Sequence, residues 1–200
     1  MSVFMVVEII AQAFWIIIPA YIANGSAVLL GGGKPIDFGK KWKDGNRILG
    51  DGKTWRGLLA GTFIGMTAGF GLSVAAKYID MTEYSYLGLN DFFGFPYMIL
   101  ILFSICFGAL FGDIFESFLK RRTGRKRGED WIPFDQIDFI LGVFFISFII
   151  TGLLHILGLT KTNWFFNSFN LGHILFLLVI TPFFHILGNL LHKKSKKTMK

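Results

Sequence analysis

The sequence predicts an all-α integral membrane protein, a bundle of five transmembrane helices with its N-terminus outside and its C-terminus in the cytoplasm. Three observations lead there. Hydrophobic residues make up 53% of the 200-residue chain, and the mean hydropathy is +0.57. Five apolar runs, roughly 3–30, 55–79, 95–119, 132–157 and 171–191, each approach the roughly 20 residues that cross a bilayer. The third observation is a lopsided distribution of positive charge. Of twenty Lys and Arg, seven lie in residues 34–56, six in 120–127 and five in the tail 193–200, leaving only Lys77 and Lys161 elsewhere. The positive-inside rule then makes 31–54 and 120–131 cytoplasmic loops. Residues 1–200 are expected to form a single membrane domain, with no apolar sequence left over for a second core. The net charge of +7 suits anionic lipid heads. No nucleic-acid-binding motif accompanies it, so nucleic acid is not an expected partner.

The first run has no basic start, carries Glu8 early and is too long for a signal-peptide core, so it is expected to stay as a span. Within it, Pro19 is followed by Asn24, Gly25 and Ser26. A proline frees backbone groups that only a packed bundle or a cavity can satisfy. The segment is therefore either a kinked, packed helix or a place where Asn24 faces a ligand.

Loop 31–54 is too charged to span and too rich in glycine for a long helix. Residues 50–57, GDGKTWRG, invite comparison with a phosphate-binding P-loop. However, Arg47 stands where the first glycine belongs, and no strand precedes it. What remains is general chemistry: glycines let backbone N–H groups approach phosphate, while Lys53 and Arg56 supply positive charge. A solvated loop that merely obeys the positive-inside rule is the alternative.

The second span carries Gly57, Gly61, Gly65 and Gly69, a four-residue spacing that puts one smooth face against a neighbouring helix. Packing within the bundle is the expected use, and a homodimer through this face is the minority alternative. Gly108 and Gly112 form a shorter version on the third span. Cys106 stands alone, which excludes an internal disulfide or a cysteine-based metal site; it reads as a small core residue. The four histidines are scattered. His155 and His185 fall within apolar spans and His192 in the basic tail, so none is expected to be a metal ligand. The connections 80–90 and 161–170 are short and carry no chemistry.

The charge pattern of residues 112–139, GDIFESFLKRRTGRKRGEDWIPFDQIDF, departs from all of this. A carboxylate at membrane depth is costly and marks a functional site by default. Asp113, Glu116, Ser117 and Lys120 follow i, i+3, i+4 and i+7 spacing, which places them on one helical face. Pro133 suits the first turn of the fourth span, and Asp135 and Asp138 then share a face near that helix's positive N-terminus. A hairpin brings Asp113, Asp135 and Asp138 to similar depth. Such hard oxygen ligands with cations nearby suit Mg²⁺ shared with the phosphates of a substrate. Ordinary ion pairing with the intervening Lys and Arg accounts for one or two of these acids, less well for the cluster.

These residues resemble the integral-membrane cytidylyltransferases that make CDP-activated lipids. That signature pairs a Ser-x-x-Lys-Arg run with a proline and a closing Asp-x-x-Asp, here Ser117, Lys120, Arg121, Pro133, Asp135 and Asp138. Gly112, Asp113 and Glu116 complete the preceding Gly-Asp-x-x-Glu-Ser. The bacterial and eukaryotic His-Gly-Gly is missing, and Gln136 stands in place of an arginine. With GDGKTWRG and the compact five-span chain, this form is similar to the archaeal branch, the CDP-archaeol synthases. The resemblance implies CTP and a polyprenyl glycerol phosphate lipid, 2,3-bis-O-geranylgeranyl-sn-glycerol 1-phosphate, as substrates, CDP-archaeol and diphosphate as products, and Mg²⁺ as cofactor. It implies a catalytic set of Asp113, Asp135, Asp138 and Lys120, with the three aspartates as metal ligands. Asn24, Lys53, Thr54, Arg56, Glu116, Ser117 and Arg121 are then the expected substrate-binding residues.

Two other readings stand beside it. One is a CDP-diacylglycerol-type synthase acting on another lipid phosphate. The other is a cation channel or transporter, which would need its acids near mid-membrane. A CDP-alcohol phosphotransferase is excluded, because Asp44-Gly45 is not followed by Ala-Arg at that family's spacing.

Overall fold

A computed structural model describes residues 3–125, 129, 131–132 and 134–183. Among the described residues the chain is helical, with two isolated β-bridges and no strand. Four helices are long and apolar enough to cross a membrane: α1 (Val3–Leu29), α2 (Trp55–Asp80), α3 (Tyr97–Arg122) and α4 (Phe134–Ile156). A short helix, α5 (Trp164–Ser168), precedes a shorter apolar helix, α6 (Leu171–Phe183). The first four expected spans agree with the helices to within three residues at either end. The rest of the expected fifth span lies outside the described residues, as do Pro133, His185, His192 and the basic tail.

The helix boundaries have local causes. Thr54 caps α2, its hydroxyl accepting from the Gly57 N–H at 3.1 Å, which satisfies one of the orphan donors of a first turn. Helix α3 runs three residues past the apolar run, carrying Lys120, Arg121 and Arg122 in its last turn, where positive charge complements the helix dipole.

Glycine lets the helices touch. A Cβ on Gly61 would lie 2.7 Å from the Ala23 carbonyl oxygen of α1, and one on Gly65 would lie 2.7 Å from that of Pro19. On Gly69 it would run into Leu102 of α3. The four-glycine face is thus filled within the chain, as its spacing suggested. A second contact of this kind joins α3 to α4. There a Cβ on Gly112 would overlap the Asp138 carbonyl, and one on Gly142 would overlap the Gly108 carbonyl. Helix α3 is the hub of the bundle. Its Ile101, Leu102, Ile105 and Ala109 are buried with Ile16 and Ile17 of α1, Ile140 and Val143 of α4, and Leu177 of α6.

At the end of the bundle away from the basic loops, Asn90 ties its own loop to α1 and α5. Its Nδ2 donates to Ser168 at 2.7 Å, and its Oδ1 accepts from Trp164 Nε1 at 3.0 Å and from the Phe92 N–H at 2.7 Å. Its carbonyl accepts from Trp15 Nε1 at 3.0 Å. Gln12 continues the seam, donating to the Leu87 carbonyl and meeting His173 Nε2. His155 is structural, with Nδ1 3.2 Å from the Thr160 carbonyl. Replacing Asn90 by alanine is expected to cost roughly 1–3 kcal/mol. Thermal unfolding in detergent should show the loss.

A carboxylate and lysine cluster between helices α3 and α4

The close α3–α4 contact decides where the acids go. Because Gly112 touches the backbone at Asp138, the neighbouring side chain of Asp113 must point past the contact into the space beside it. One turn on, Glu116 follows. Carboxylate oxygens of Asp113, Glu116 and Asp138 all lie within 4.8 Å of one another. Glu116 is buried, and its Oε1 accepts no hydrogen bond among the described residues, the Lys120 ammonium being 3.6 Å away. Asp138 Oδ1 accepts from the Phe139 N–H at 2.7 Å.

Two lysines enter this group from opposite sides. Lys53, from the first loop, pairs with Asp113 at 2.5 Å. Lys120 crosses from α3 to Asp135, donating to both carboxylate oxygens at 2.8 and 2.9 Å. The Trp131 N–H also donates to Asp135, at 2.9 Å. Among the described residues, four carboxylates therefore face two ammonium groups. Like charges this close repel unless a further cation joins them. The donors are hard oxygens, the kind that Mg²⁺ or Ca²⁺ takes.

The expected aspartates are thus all at one place but not in one role. Asp113 and Asp138 converge with Glu116, while Asp135 is held by Lys120. Helical phase puts Glu116 on the right face; only the packing of α4 shows that its carboxylate comes within 4.8 Å of those of Asp113 and Asp138.

Two cavities with charged and polar groups in their walls meet at the cluster. One, of about 490 Å³, runs between α1 and α4 and is lined by Tyr21, Asn24, Thr54, Phe139 and Thr181. The other, of about 510 Å³, lies under the first loop, lined by residues 49–53 with Glu116, Ser117, Lys120 and Arg121. Lys53, Asp113, Asp135 and Asp138 border both. Asn24 keeps a buried Oδ1 with no partner, so it faces the first cavity as well as packing in the helix. Thr54 lines that cavity while capping α2. Arg56 is exposed on the first turn of α2 and borders neither. A third space, an apolar groove of about 610 Å³ between α3 and α4, is lined by Phe111, Phe115, Leu119, Phe134, Leu141 and Phe145 and reaches Glu116 and Asp138. Four phenylalanines, Phe103, Phe107, Phe111 and Phe115, stack in a row along α3 towards it, with ring centroids 5.1–6.3 Å apart.

The first loop is folded, not merely solvated. Its centre is Asp37, which the sequence reading passed over. Burial alone would raise its carboxyl, but the Arg47 guanidinium and the N–H groups of Leu49, Gly50 and Gly39 hold it well below the usual carboxylate range. A depressed native pKa stabilises above the unfolded value of about 3.9, and that contribution fades only as pH falls through the lower native value. The Asp37 carboxylate, followed by NMR, is accordingly expected to remain ionised at a pH where an ordinary aspartate is half protonated. The loop is also pinned to α3. Arg121 Nε donates to the Leu49 carbonyl at 3.2 Å, and Arg122 pairs with Asp44 at 2.8 Å and lies over the rings of Trp42 and Phe118. Asp37 shares its loop with Asp44 and Asp51, so nothing in the sequence singles it out, and Arg122 is one of several adjacent basic residues.

Comparison with known proteins agrees over nearly the whole chain. The family model described as CarS-like, CDP-archaeol synthase, matches residues 6–197. The CDP-archaeol synthase of Methanosarcina acetivorans is 40% identical over 177 residues, covering 87% of this chain and 93% of the relative. That of Thermococcus onnurineus is 41% identical over 174 residues (86% and 85%), and that of Halorubrum lacusprofundi 39% over 186 (92% and 93%). A solved structure of an intramembrane enzyme for archaeal membrane lipid biosynthesis is similar, with TM-score 0.66 and 30% identity, over 89% of this chain and 92% of that one.

Proposed function

The chain belongs to the CDP-archaeol synthase family, a multi-pass membrane cytidylyltransferase of archaeal lipid synthesis, and we propose how its site makes CDP-archaeol. The lipid is 2,3-bis-O-geranylgeranyl-sn-glycerol 1-phosphate. Its phosphate oxygen attacks the α-phosphorus of CTP, a P–O bond to the β-phosphate breaks, and diphosphate leaves. The observation that carries this reading is the junction itself: carboxylates and lysines stand where two cavities and one apolar groove meet.

Both reactants are anions, so the chain's first task is to bring them together against their repulsion. Lys53 borders both cavities and can donate to a phosphate in either. Lys120 and Arg121 border the cavity under the glycine-rich loop, which suits the triphosphate. Positioning and charge neutralisation are what such a transfer needs from a protein, rather than a protein nucleophile. The apolar groove suits a polyprenyl chain, whose phosphate would then lie at Glu116 and Asp138.

The site fits Mg²⁺, because three convergent carboxylates, with a buried Glu116 oxygen that accepts no hydrogen bond among the described residues, leave negative charge to be neutralised. Asp113, Glu116 and Asp138 would hold it, with Asp135 reaching it if Lys120 turns to phosphate. When bound, the ion supplies charge neutralisation and polarises phosphate oxygens. The positive-inside rule supports a cytoplasmic position for this end of the bundle, where CTP is, and on the same reading α6 would begin a fifth span and the N-terminus would lie outside.

The test is purified protein in detergent with CTP, Mg²⁺ and a panel of polyprenyl and acyl glycerol phosphates, with diphosphate release followed. Release with the geranylgeranyl lipid is expected. No release with any of them would sink the reading, and release with acyl lipids alone would move it to CDP-diacylglycerol synthesis.

A further inference from the structure

We propose that Asp37 is the positioning residue of the nucleotide loop, fixing the turn at residues 50–53 so that Lys53 stands at the carboxylate cluster. The proposal rests on the reading that this loop takes the triphosphate of CTP.

The side chain of Asp37 is fully buried. Its two oxygens accept five hydrogen bonds: from the N–H groups of Gly39 (3.1 Å), Leu49 (3.0 Å) and Gly50 (3.0 Å), and from Arg47 Nε (3.1 Å) and Nη2 (2.8 Å). Arg47 extends the grip by pairing with Asp51 at 2.8 Å. The residues just before Asp37 hold the other side of the turn. The Ile36 N–H donates to the Lys53 carbonyl at 2.8 Å, and the Trp55 N–H to that of Lys34 at 3.2 Å. Residues 34–37 therefore clamp both flanks of a four-residue turn closed by the Lys53 N–H donating to the Gly50 carbonyl. Lys53 leaves that turn to meet Asp113.

Electrostatics says why this is a matter of shape. A carboxylate beside a site for a triphosphate opposes binding, and loop 31–54 has six cations that would attract phosphate without it. Asp37 is tolerated because it is buried and neutralised by Arg47. Its yield is geometric, since a carboxylate alone among the side chains offers enough acceptor sites for three backbone donors and a forked guanidinium. An amide in its place would turn one acceptor into a donor facing N–H groups.

The test compares wild type, Asp37→Asn, Asp37→Glu and Lys53→Ala in one detergent. It measures equilibrium CTP binding with Mg²⁺, KM for CTP and for the lipid phosphate, and thermal stability. Asp37→Asn is expected to weaken CTP binding and raise its KM about tenfold or more, the loss of a charged hydrogen bond. The KM for the lipid should stay where it was, and Asp37→Glu should recover part of the CTP affinity. Unchanged CTP affinity overturns the proposal. So does a fall in kcat with both KM values unchanged, the mark of less folded enzyme. Should Asp37→Asn fail to insert, Arg47→Lys keeps the charge but loses the fork; it should show the same split, and an unchanged KM for CTP overturns the proposal equally. Lys53→Ala separates the two levels. If it leaves CTP affinity intact, the loop is not the nucleotide site at all. If it weakens binding while Asp37→Asn does not, only the positioning role falls.

Discussion

Asp138→Asn is expected to reduce diphosphate release by about 10²–10³ or more, the scale on which a single group aimed at transition-state charge acts. Asp138 is the residue that borders both cavities and the apolar groove, so nucleotide, lipid phosphate and cation would all come within its reach. The substitution keeps shape and removes charge. Because Asp138 crowds Asp113 and Glu116, losing its charge relieves repulsion in the empty site. Stability should therefore hold or rise while activity vanishes, the trade-off typical of strained functional sites. The check is diphosphate release beside a thermal melt. Turnover within a few-fold of wild type would remove Asp138 from the reaction, and a fall in stability parallel to activity would make it structural.

Gly112→Ala should be nearly as damaging with no change of charge. A single methyl there would overlap the Asp138 carbonyl, so α3 and α4 must move apart or shift register. Overpacking of this kind costs about 1–3 kcal/mol, and a displacement of roughly 1 Å between reacting groups can cost about 10²-fold in rate. The control is Gly71→Ala, since a Cβ on Gly71 of α2 would meet nothing within 4 Å. That change should be neutral or stabilise by up to about 1 kcal/mol. If both variants behave alike, the contact at Gly112 does not set the site.

Much of this was legible in advance, for identifiable reasons. Length and hydropathy give the spans because a bilayer imposes a fixed thickness. The i, i+3, i+4, i+7 spacing from Asp113 to Lys120 gives a face because helical phase is rigid over two turns. What phase could not give is the relation between helices: that Glu116 converges with Asp113 and Asp138, or that Lys120 takes Asp135. Those depend on how far α4 slides along α3, which the Gly108, Gly112 and Gly142 contacts decide. Asp37 was hidden for a different reason. Its partners lie two to thirteen residues away in a segment without periodicity, where hydrogen bonding leaves no pattern in sequence. The last turn of α3 lies beyond the apolar run because it is basic rather than apolar.

The groove between α3 and α4 is lined by exposed apolar side chains, Phe115, Phe134, Leu141 and Phe145, and if the lipid enters there, concentration changes its meaning for this enzyme. A substrate entering that way never leaves the bilayer, so its supply is set by its mole fraction among other lipids. Diluting it with inert lipid at constant bulk amount should slow the enzyme, and adding more membrane of the same composition should not. CTP arrives from the water and follows ordinary molarity. On that reading the two substrates would reach one site through spaces of different dimension, one searched in a plane and the other in a volume.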